Sequence, residues 1–218
     1  MKRYIDRAEA LRFMGMKEAP SGQFLSLLEE CEREVARLAE PRCIYKMFGT
    51  CQISDVLLGE SIKQHFEDCD RVIVFAATLG TRIDRYISRL QVTDMASAVT
   101  ADAVASACIE GFCREADEKL AEEFAPRFLT WRYSPGYGDY PLELQGKLLS
   151  LSEADKRIGL HVTDSAMLLP VKSVTAVIGV SDSPVKKEKQ TCAVCNMKNI
   201  CAFRKEGEHC GYKSASEQ

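Results

Sequence analysis

The feature that most limits what this chain can fold into is one long helical pattern between Ala96 and Phe124. Apolar residues recur on one side of it at helical spacing, namely Ala101, Ala105, Cys108, Phe112, Ala116, Leu120 and Phe124. Between Ser97 and Cys113 the other sides are also mostly Ala, Ser, Val and Cys, and the only charges there are Asp102 and Glu110. A helix that is apolar all round is typically buried. We therefore expect a central core helix whose first half is enclosed on every side.

The remaining patterns predict an α+β domain. Two amphipathic helices precede residue 39 and are separated by Pro20-Ser21-Gly22, and a third runs from about Arg82 to Leu90. The run 71–77 (RVIVFAA) is typical of a strand that is buried on both faces. Further strands are predicted over 42–48, 127–133, 160–162, 167–169 and 171–180, and further helices over 141–149 and 152–159. Because strands and helices do not alternate strictly, the order favours α+β over α/β.

Composition excludes several classes of protein. The 218 residues carry a formal net charge of −3, and no face rich in Lys and Arg suggests a nucleic-acid partner. No uninterrupted apolar run reaches the roughly 18 residues of a membrane span. The start, Met1-Lys2-Arg3-Tyr4-Ile5-Asp6, lacks the apolar segment of a signal peptide. We expect a cytoplasmic protein without a membrane partner.

Four of the ten cysteines, Cys192, Cys195, Cys201 and Cys210, fall within nineteen residues near the C-terminus. A segment this short and polar has no hydrophobic core, so metal binding would have to supply its folding free energy. The spacing predicts a four-cysteine metal site, with an iron–sulfur cluster or zinc as the alternatives. The polar run SDSPVKKEKQ before it indicates a linker. We predict a main domain over 1–180, a linker over 181–190 and a cysteine-rich module over 191–218.

A second motif, Arg132-Tyr133-Ser134-Pro135-Gly136-Tyr137, combines groups that suit a small ligand. A guanidinium can bind a carboxylate through two hydrogen bonds, and glycine allows the backbone to approach a ligand closely. Pro135 fixes a turn, and the Tyr137 ring could contact a flat base. The simpler alternative is a turn that carries a surface arginine.

This motif resembles the Arg-x-x-x-Gly-Tyr motif with which the activation domain of cobalamin-dependent methionine synthase binds S-adenosylmethionine (AdoMet). The similarity covers roughly residues 72–182 and continues through Gly159-Leu160, Thr163-Asp164-Ser165, Met167, Pro170 and Ser173-Val174. It implies a C-shaped fold around a twisted antiparallel sheet. It also implies that Arg132 holds the AdoMet carboxylate while the backbone from Pro135 through Gly136 to Tyr137 contacts the ligand.

Glu110, in Ile109-Glu110-Gly111-Phe112, matches a helical carboxylate that lies near AdoMet in that family. A carboxylate among Ala, Cys and Phe is costly to bury without a partner. The resemblance implies a catalytic role at the ligand, and the alternative is an ion pair with a structural arginine.

The sequence also departs from the family pattern. Leu142-Glu143-Leu144-Gln145 follows Pro141 in place of an acidic-His-Thr-Glu-Lys run, Ile178 stands where the family has a tyrosine, and Pro126 replaces an acidic residue. None of His65, His161 and His209 lies in an Asp-x-His-x-x-Gly cobalamin box. These differences indicate a stand-alone branch whose cobalamin is supplied by a partner protein.

The resemblance implies methyltransferase-type activity, the AdoMet-dependent reductive reactivation of a corrinoid methyltransferase such as methionine synthase. That reaction also consumes an electron, which favours iron–sulfur over zinc and implies a low-potential reductant such as flavodoxin or ferredoxin. The alternative is an iron–sulfur or zinc module for electron transfer that has lost AdoMet methyl transfer. A radical AdoMet enzyme is disfavoured because its Cys-x-x-x-Cys-x-x-Cys spacing is absent.

Overall fold

The structure, a computed structural model, describes residues 1–16 and 19–185. The α-helices are α1 (Arg7–Phe13), α2 (Gly22–Leu38), α3 (Glu60–His65), α4 (Thr81–Thr93), α5 (Met95–Glu123), α6 (Gln145–Ser152) and α7 (Ala154–Ile158). The strands are β1 (Arg42–Gly49), β2 (Arg71–Thr78), β3 (Phe128–Leu129), β4 (His161–Val162), β5 (Leu168–Leu169) and β6 (Ser173–Ser181). Short 3₁₀ segments lie at Lys2–Tyr4, Thr50–Val56 and Leu142–Leu144. The fold is α+β, as predicted.

The main sheet is antiparallel, with strand order β1-β2-β6-β3. β2 and β6 are its long central strands, and they pair from Arg71 with Val180 to Thr78 with Ser173. β3 adds only two residues at the far edge, opposite Ser181 and Val180. A separate pair of short strands, β4 and β5, completes the strands of the described residues.

β2 is buried on both faces, as its unbroken apolar sequence predicts. Ile73, Phe75 and Ala77 point to a core shared with α1, α2, α4 and α5. Val72 and Val74 point to the opposite core, which α3, α6 and the loop after β3 complete. The sheet therefore separates the helical layer from α3, α6 and the loop after β3.

α5 is the central helix that the sequence predicts, and it begins and ends one residue earlier than expected. Asp94 caps its N-terminus by accepting hydrogen bonds from the backbone N–H groups of Ala96 (3.1 Å) and Ser97 (3.3 Å). By length and composition this helix could cross a membrane, but 61% of its most apolar 18-residue window is buried inside the protein. The expectation of complete enclosure was wrong at one stripe, because Val99 is 54% exposed and Asp102 is exposed beside it.

Several predicted boundaries were also wrong. The strand expected over 127–133 shrinks to β3, because the side-chain oxygen of Thr130 accepts the Gly179 N–H at 2.8 Å and interrupts the backbone ladder. Ser152 ends α6 instead of starting the next helix, and its hydroxyl donates to the Leu148 carbonyl at 2.9 Å. The helix predicted from Pro141 begins as a 3₁₀ turn and becomes α-helical at Gln145.

Candidate functional site

Arg132 lies three residues beyond β3, where the chain leaves the sheet edge, and its side chain crosses to α5. Its Nε donates a hydrogen bond to Oδ2 of Asp117 at 2.9 Å. Its Nη2 lies 3.4 Å from Oε2 of Glu110. Reciprocal 2.9 Å backbone hydrogen bonds between Tyr133 and Val177 anchor the neighbouring residue to β6. Only 9% of the Arg132 side chain is exposed, so the guanidinium is a fixed part of the fold and not a mobile surface group.

The electrostatics of this cluster follow from its burial. Burial opposes the charge of Arg132, but the negative groups around it, including Asp117 and Glu110, raise its pKa overall. Burial raises the pKa of Asp117, whereas Arg132 acts in the opposite direction. Cys113 lies between the two acids on α5, and burial raises its pKa to about 12, so this thiol stays protonated. The structure thus brings together Arg132 and Glu110, two of the predicted site residues.

The segment after Arg132 is a tight loop that presents backbone and one ring to the surface. Gly136 has φ +91°, a conformation that favours glycine, and its N–H donates to the Tyr140 carbonyl at 2.8 Å. Pro135 is buried beneath the loop, and Tyr137 is 45% exposed. A Cβ on Gly136 would lie 3.6 Å from Leu142 Cδ1, an ordinary contact, so backbone conformation and not space requires glycine here.

Asp139 ties this loop to the N-terminus of α3. Its carboxylate accepts the backbone N–H of Glu60 at 2.7 Å and that of Ser61 at 2.9 Å. Hydrogen bonds from Ser61, and from the Glu60 backbone, lower the pKa of Asp139 to about 2. Helix N-termini favour negative charge, so the contact stabilises both the helix and the loop.

An aromatic cluster supports the loop from below. The centroid of the His65 ring lies 4.4 Å from the ring centroid of Trp131 and 5.0 Å from that of Tyr133. The His65 Nε2 atom is 2.8 Å from the Trp131 carbonyl oxygen. Burial lowers the pKa of His65. Tyr133 in turn contacts the Tyr137 ring edge-on at 5.9 Å. This packing fixes the backbone on both sides of Arg132.

Sequence reasoning missed Asp117 and Asp139. Asp117 follows Glu110 by seven residues, which places both acids on one side of a helix two turns apart, and this spacing was a usable signal. No comparable signal exists for Asp139, because its partners Glu60 and Ser61 lie almost eighty residues earlier.

The positions that depart from the family pattern have structural roles. Ile178 is 2% exposed and belongs to the core between the sheet and the helical layer. Leu144 is buried in the opposite core. Asp102, the other charge in the first half of α5 besides Glu110, pairs with Lys172 at 2.8 Å.

The predicted metal ligands Cys192, Cys195, Cys201 and Cys210 lie outside the described residues. Within residues 1–16 and 19–185, no group of three or more His, Cys, Asp or Glu side chains could hold a metal ion. The cysteines of that part of the chain are free thiols.

Comparison with known proteins identifies the family. A sequence profile described as "Vitamin B12 dependent methionine synthase, activation domain" matches residues 52–186. Curated protein sequences include no match to the chain. A solved structure, "Crystal Structure of the MetH Reactivation Domain bound to AdoHcy", is similar with a TM-score of 0.58 at 14% identity, over 96% of this chain and 83% of that one. Because the profile covers more than half of the chain, this protein belongs to the family of the activation domain of vitamin B12-dependent methionine synthase.

Proposed function

We propose that this protein binds AdoMet and uses it to reactivate a partner corrinoid methyltransferase. The observation that carries the proposal is the contact between Arg132 and Glu110, with the Gly136–Tyr137 turn shortly after Arg132 along the chain, in a protein of this family. Arg132 would hold the carboxylate of the ligand, and the backbone around Gly136 and the exposed Tyr137 ring would contact the rest. The similar MetH domain was crystallised with AdoHcy, which supports a ligand of this chemical class.

The residues present fit such a ligand. AdoMet carries a carboxylate, an ammonium and a sulfonium, so it needs both positive and negative groups in its site. Arg132 and Glu110 supply one of each. A buried oxygen of Asp117, Oδ1, has no hydrogen-bond partner among the described residues, which leaves an acceptor unsatisfied beside Arg132.

The reaction needs one electron and one methyl group. The partner's Co(II) is reduced by a low-potential one-electron donor, and the methyl group then passes from the AdoMet sulfur to cobalt, with the C–S bonding pair remaining on sulfur. Because the nucleophile is the cobalt of the partner, this chain contributes no nucleophile, and its contribution is to bind and orient the methyl donor. Glu110 is proposed to act at the ligand.

The C-terminal cysteines are proposed to form an electron-carrying module that follows the main domain. Cys192, Cys195, Cys201 and Cys210 would hold an iron–sulfur cluster, or zinc in the alternative. β6 continues to Ser181, and Asp182 pairs with Arg127 of the segment before β3 at 2.8 Å. The proposed linker therefore begins where the end of β6 pairs with the start of β3, at Ser181 opposite Phe128.

A second candidate function is an electron-transfer module that no longer transfers a methyl group from AdoMet. The observation that favours it is that Arg132 already contacts two carboxylates. In that case Arg132, Glu110 and Asp117 form ion pairs that stabilise the fold and bind no ligand.

The decisive experiment reconstitutes the reaction anaerobically. The full chain is mixed with a candidate corrinoid protein in its Co(II) state, a low-potential reductant and AdoMet, and the cobalt spectrum is followed together with AdoHcy formation. The proposal predicts methylated corrinoid and equimolar AdoHcy, with little product when AdoMet is omitted. If the cobalt of every corrinoid protein of the same cell stays in the Co(II) state despite measured AdoMet binding, the reactivation function is excluded and the electron-transfer function is favoured.

Metal analysis tests the module separately. Anaerobically purified protein should contain iron and sulfide and absorb broadly near 400 nm, roughly where thiolate-bound clusters absorb. Cys192→Ser or Cys195→Ser should lose the metal while the main domain keeps its unfolding midpoint. Stoichiometric zinc without iron after reconstitution would contradict the electron-carrying role.

A further inference from the structure

The Arg132 cluster carries more negative charge than positive. Glu110 and Asp117 project from the same side of α5, and each contacts the single guanidinium of Arg132. Two carboxylates and one guanidinium sum to a formal charge of −1. Arg114, which lies between the two acids along α5, contacts Glu9 at 2.9 Å.

Asp117 is the residue that creates this imbalance. Its Oδ2 accepts the Arg132 Nε hydrogen bond, but its Oδ1 is buried without a hydrogen-bond donor among the described residues. A buried, uncompensated carboxylate oxygen is unfavourable, and a nearby positive charge relieves the penalty. Both carboxylates are more open than the guanidinium, since 34% of the Glu110 side chain and 39% of the Asp117 side chain are exposed against 9% of Arg132. A ligand that approaches Arg132 would therefore meet the charge of both acids.

We propose that Asp117 is a specificity-determining residue that makes the site prefer a cationic methyl donor over its neutral product. The inference rests on the proposed function. AdoMet has a net charge of +1, whereas AdoHcy, which has lost the sulfonium charge, has a net charge of zero. Arg132 and Glu110 together carry no net charge, so this pair does not by itself discriminate between the two molecules by charge. Asp117 adds the negative charge that only AdoMet balances.

This charge has a functional consequence. At an effective dielectric constant of about 20, a unit charge several ångströms away changes affinity by about tenfold or more. When the methyl group leaves, the sulfonium becomes a thioether and that attraction disappears. AdoHcy is then released readily, and the partner corrinoid protein is free to return to its own catalytic cycle.

The test is calorimetric binding of AdoMet, AdoHcy and sinefungin to the full chain at neutral pH. In sinefungin, a carbon that bears an ammonium group replaces the methylated sulfonium sulfur of AdoMet. The ligand therefore keeps the positive charge but has no transferable methyl group. Wild type should bind AdoMet and sinefungin about tenfold or more tightly than AdoHcy. Asp117→Asn should weaken both cations about tenfold and change AdoHcy by less than about threefold.

Glu118→Gln is the matched control, because it removes the same charge from the next residue of α5, which is exposed. Its preference for AdoMet should equal that of wild type. Equal weakening of all three ligands by Asp117→Asn would overturn the inference and make Asp117 only a support for Arg132. If that variant does not fold, wild-type protein that binds the three ligands equally overturns it as well. Absence of binding by all three ligands would instead refute the proposed function itself.

Discussion

The carbonyl oxygen of Tyr4 occupies the position that a Cβ atom on Gly111 would need. The 3₁₀ turn at Lys2–Tyr4 therefore packs directly on α5, one residue from Glu110. Contacts from Arg3 (3.0 Å) and the Tyr4 hydroxyl (3.2 Å) to Glu115 hold it there. The glycine in Ile109-Glu110-Gly111-Phe112 is thus required by a close approach of backbone, and the start of the chain helps to fix the helix at the candidate site.

Gly111→Ala should destabilise the protein. Alanine in a helix interior normally gains about 1 kcal/mol over glycine. Here the added methyl group displaces the Tyr4 backbone, and we expect a net loss of about 1–3 kcal/mol in the free energy of unfolding. Urea denaturation measures it. The control is Gly146→Ala in α6, whose Cβ would meet Val162 Cγ1 at an ordinary 3.5 Å and should cost nothing. Equal stability of the two variants would contradict the packing argument.

Arg132→Ala should weaken AdoMet binding by roughly 2 kcal/mol or more, which is about thirtyfold, because a charge-assisted contact to the ligand carboxylate is lost. Arg132→Lys should restore little of it, because an ammonium cannot reproduce the planar fork that reaches two partners. Arg127→Ala, which removes an arginine from the same segment and disrupts only the contact to Asp182, is the control. Unchanged calorimetric affinity in Arg132→Ala would mean that the cluster is purely structural.

Glu110→Gln should slow methyl transfer more than it weakens AdoMet binding. Interactions that strengthen in the transition state appear in the rate, whereas uniform binding interactions appear in affinity. We expect a loss of about tenfold in the single-turnover rate and less than about threefold in the dissociation constant. Glu122→Gln, at an exposed position of the same helix, should match wild type in both. A rate that falls only in proportion to affinity would assign Glu110 to binding alone.

Asp139→Asn should lower stability at neutral pH, and the deficit should vanish in acid. The pKa of Asp139 is depressed from an ordinary 3.8 to about 2, so its contribution is present above pH 3.8 and is lost as the pH falls towards 2. Denaturation midpoints of the two proteins, compared from neutral pH down to about 2, measure the effect. Asp155→Asn, exposed in the first turn of α7, is the control. A deficit that stays constant with pH would show that charge is not the cause.

The parts of the fold that the sequence predicts are those set by local patterns. α5 and β2 follow from the spacing and the run of their apolar residues, and both were predicted to within one residue at each end. The short length of β3 was not predicted, because it depends on the hydrogen bond between Thr130 and Gly179, which joins segments forty-nine residues apart. The Arg132 motif was recognisable in the sequence. Of its two acidic partners, Glu110 was singled out in the sequence and Asp117 was missed, because the contact between Arg132 and Asp117 depends on where the chain returns after α5.

The carboxylate of Asp139 makes the loop after Arg132 and the first turn of α3 a single cooperative unit. Opening either one breaks hydrogen bonds that the other needs, so the two should exchange their amide hydrogens with a common protection factor. A ligand that settles on Gly136 and Tyr137 would then slow exchange at Ser61, a residue it does not touch. In that sense hydrogen exchange at the first turn of α3 would report occupancy of the proposed site.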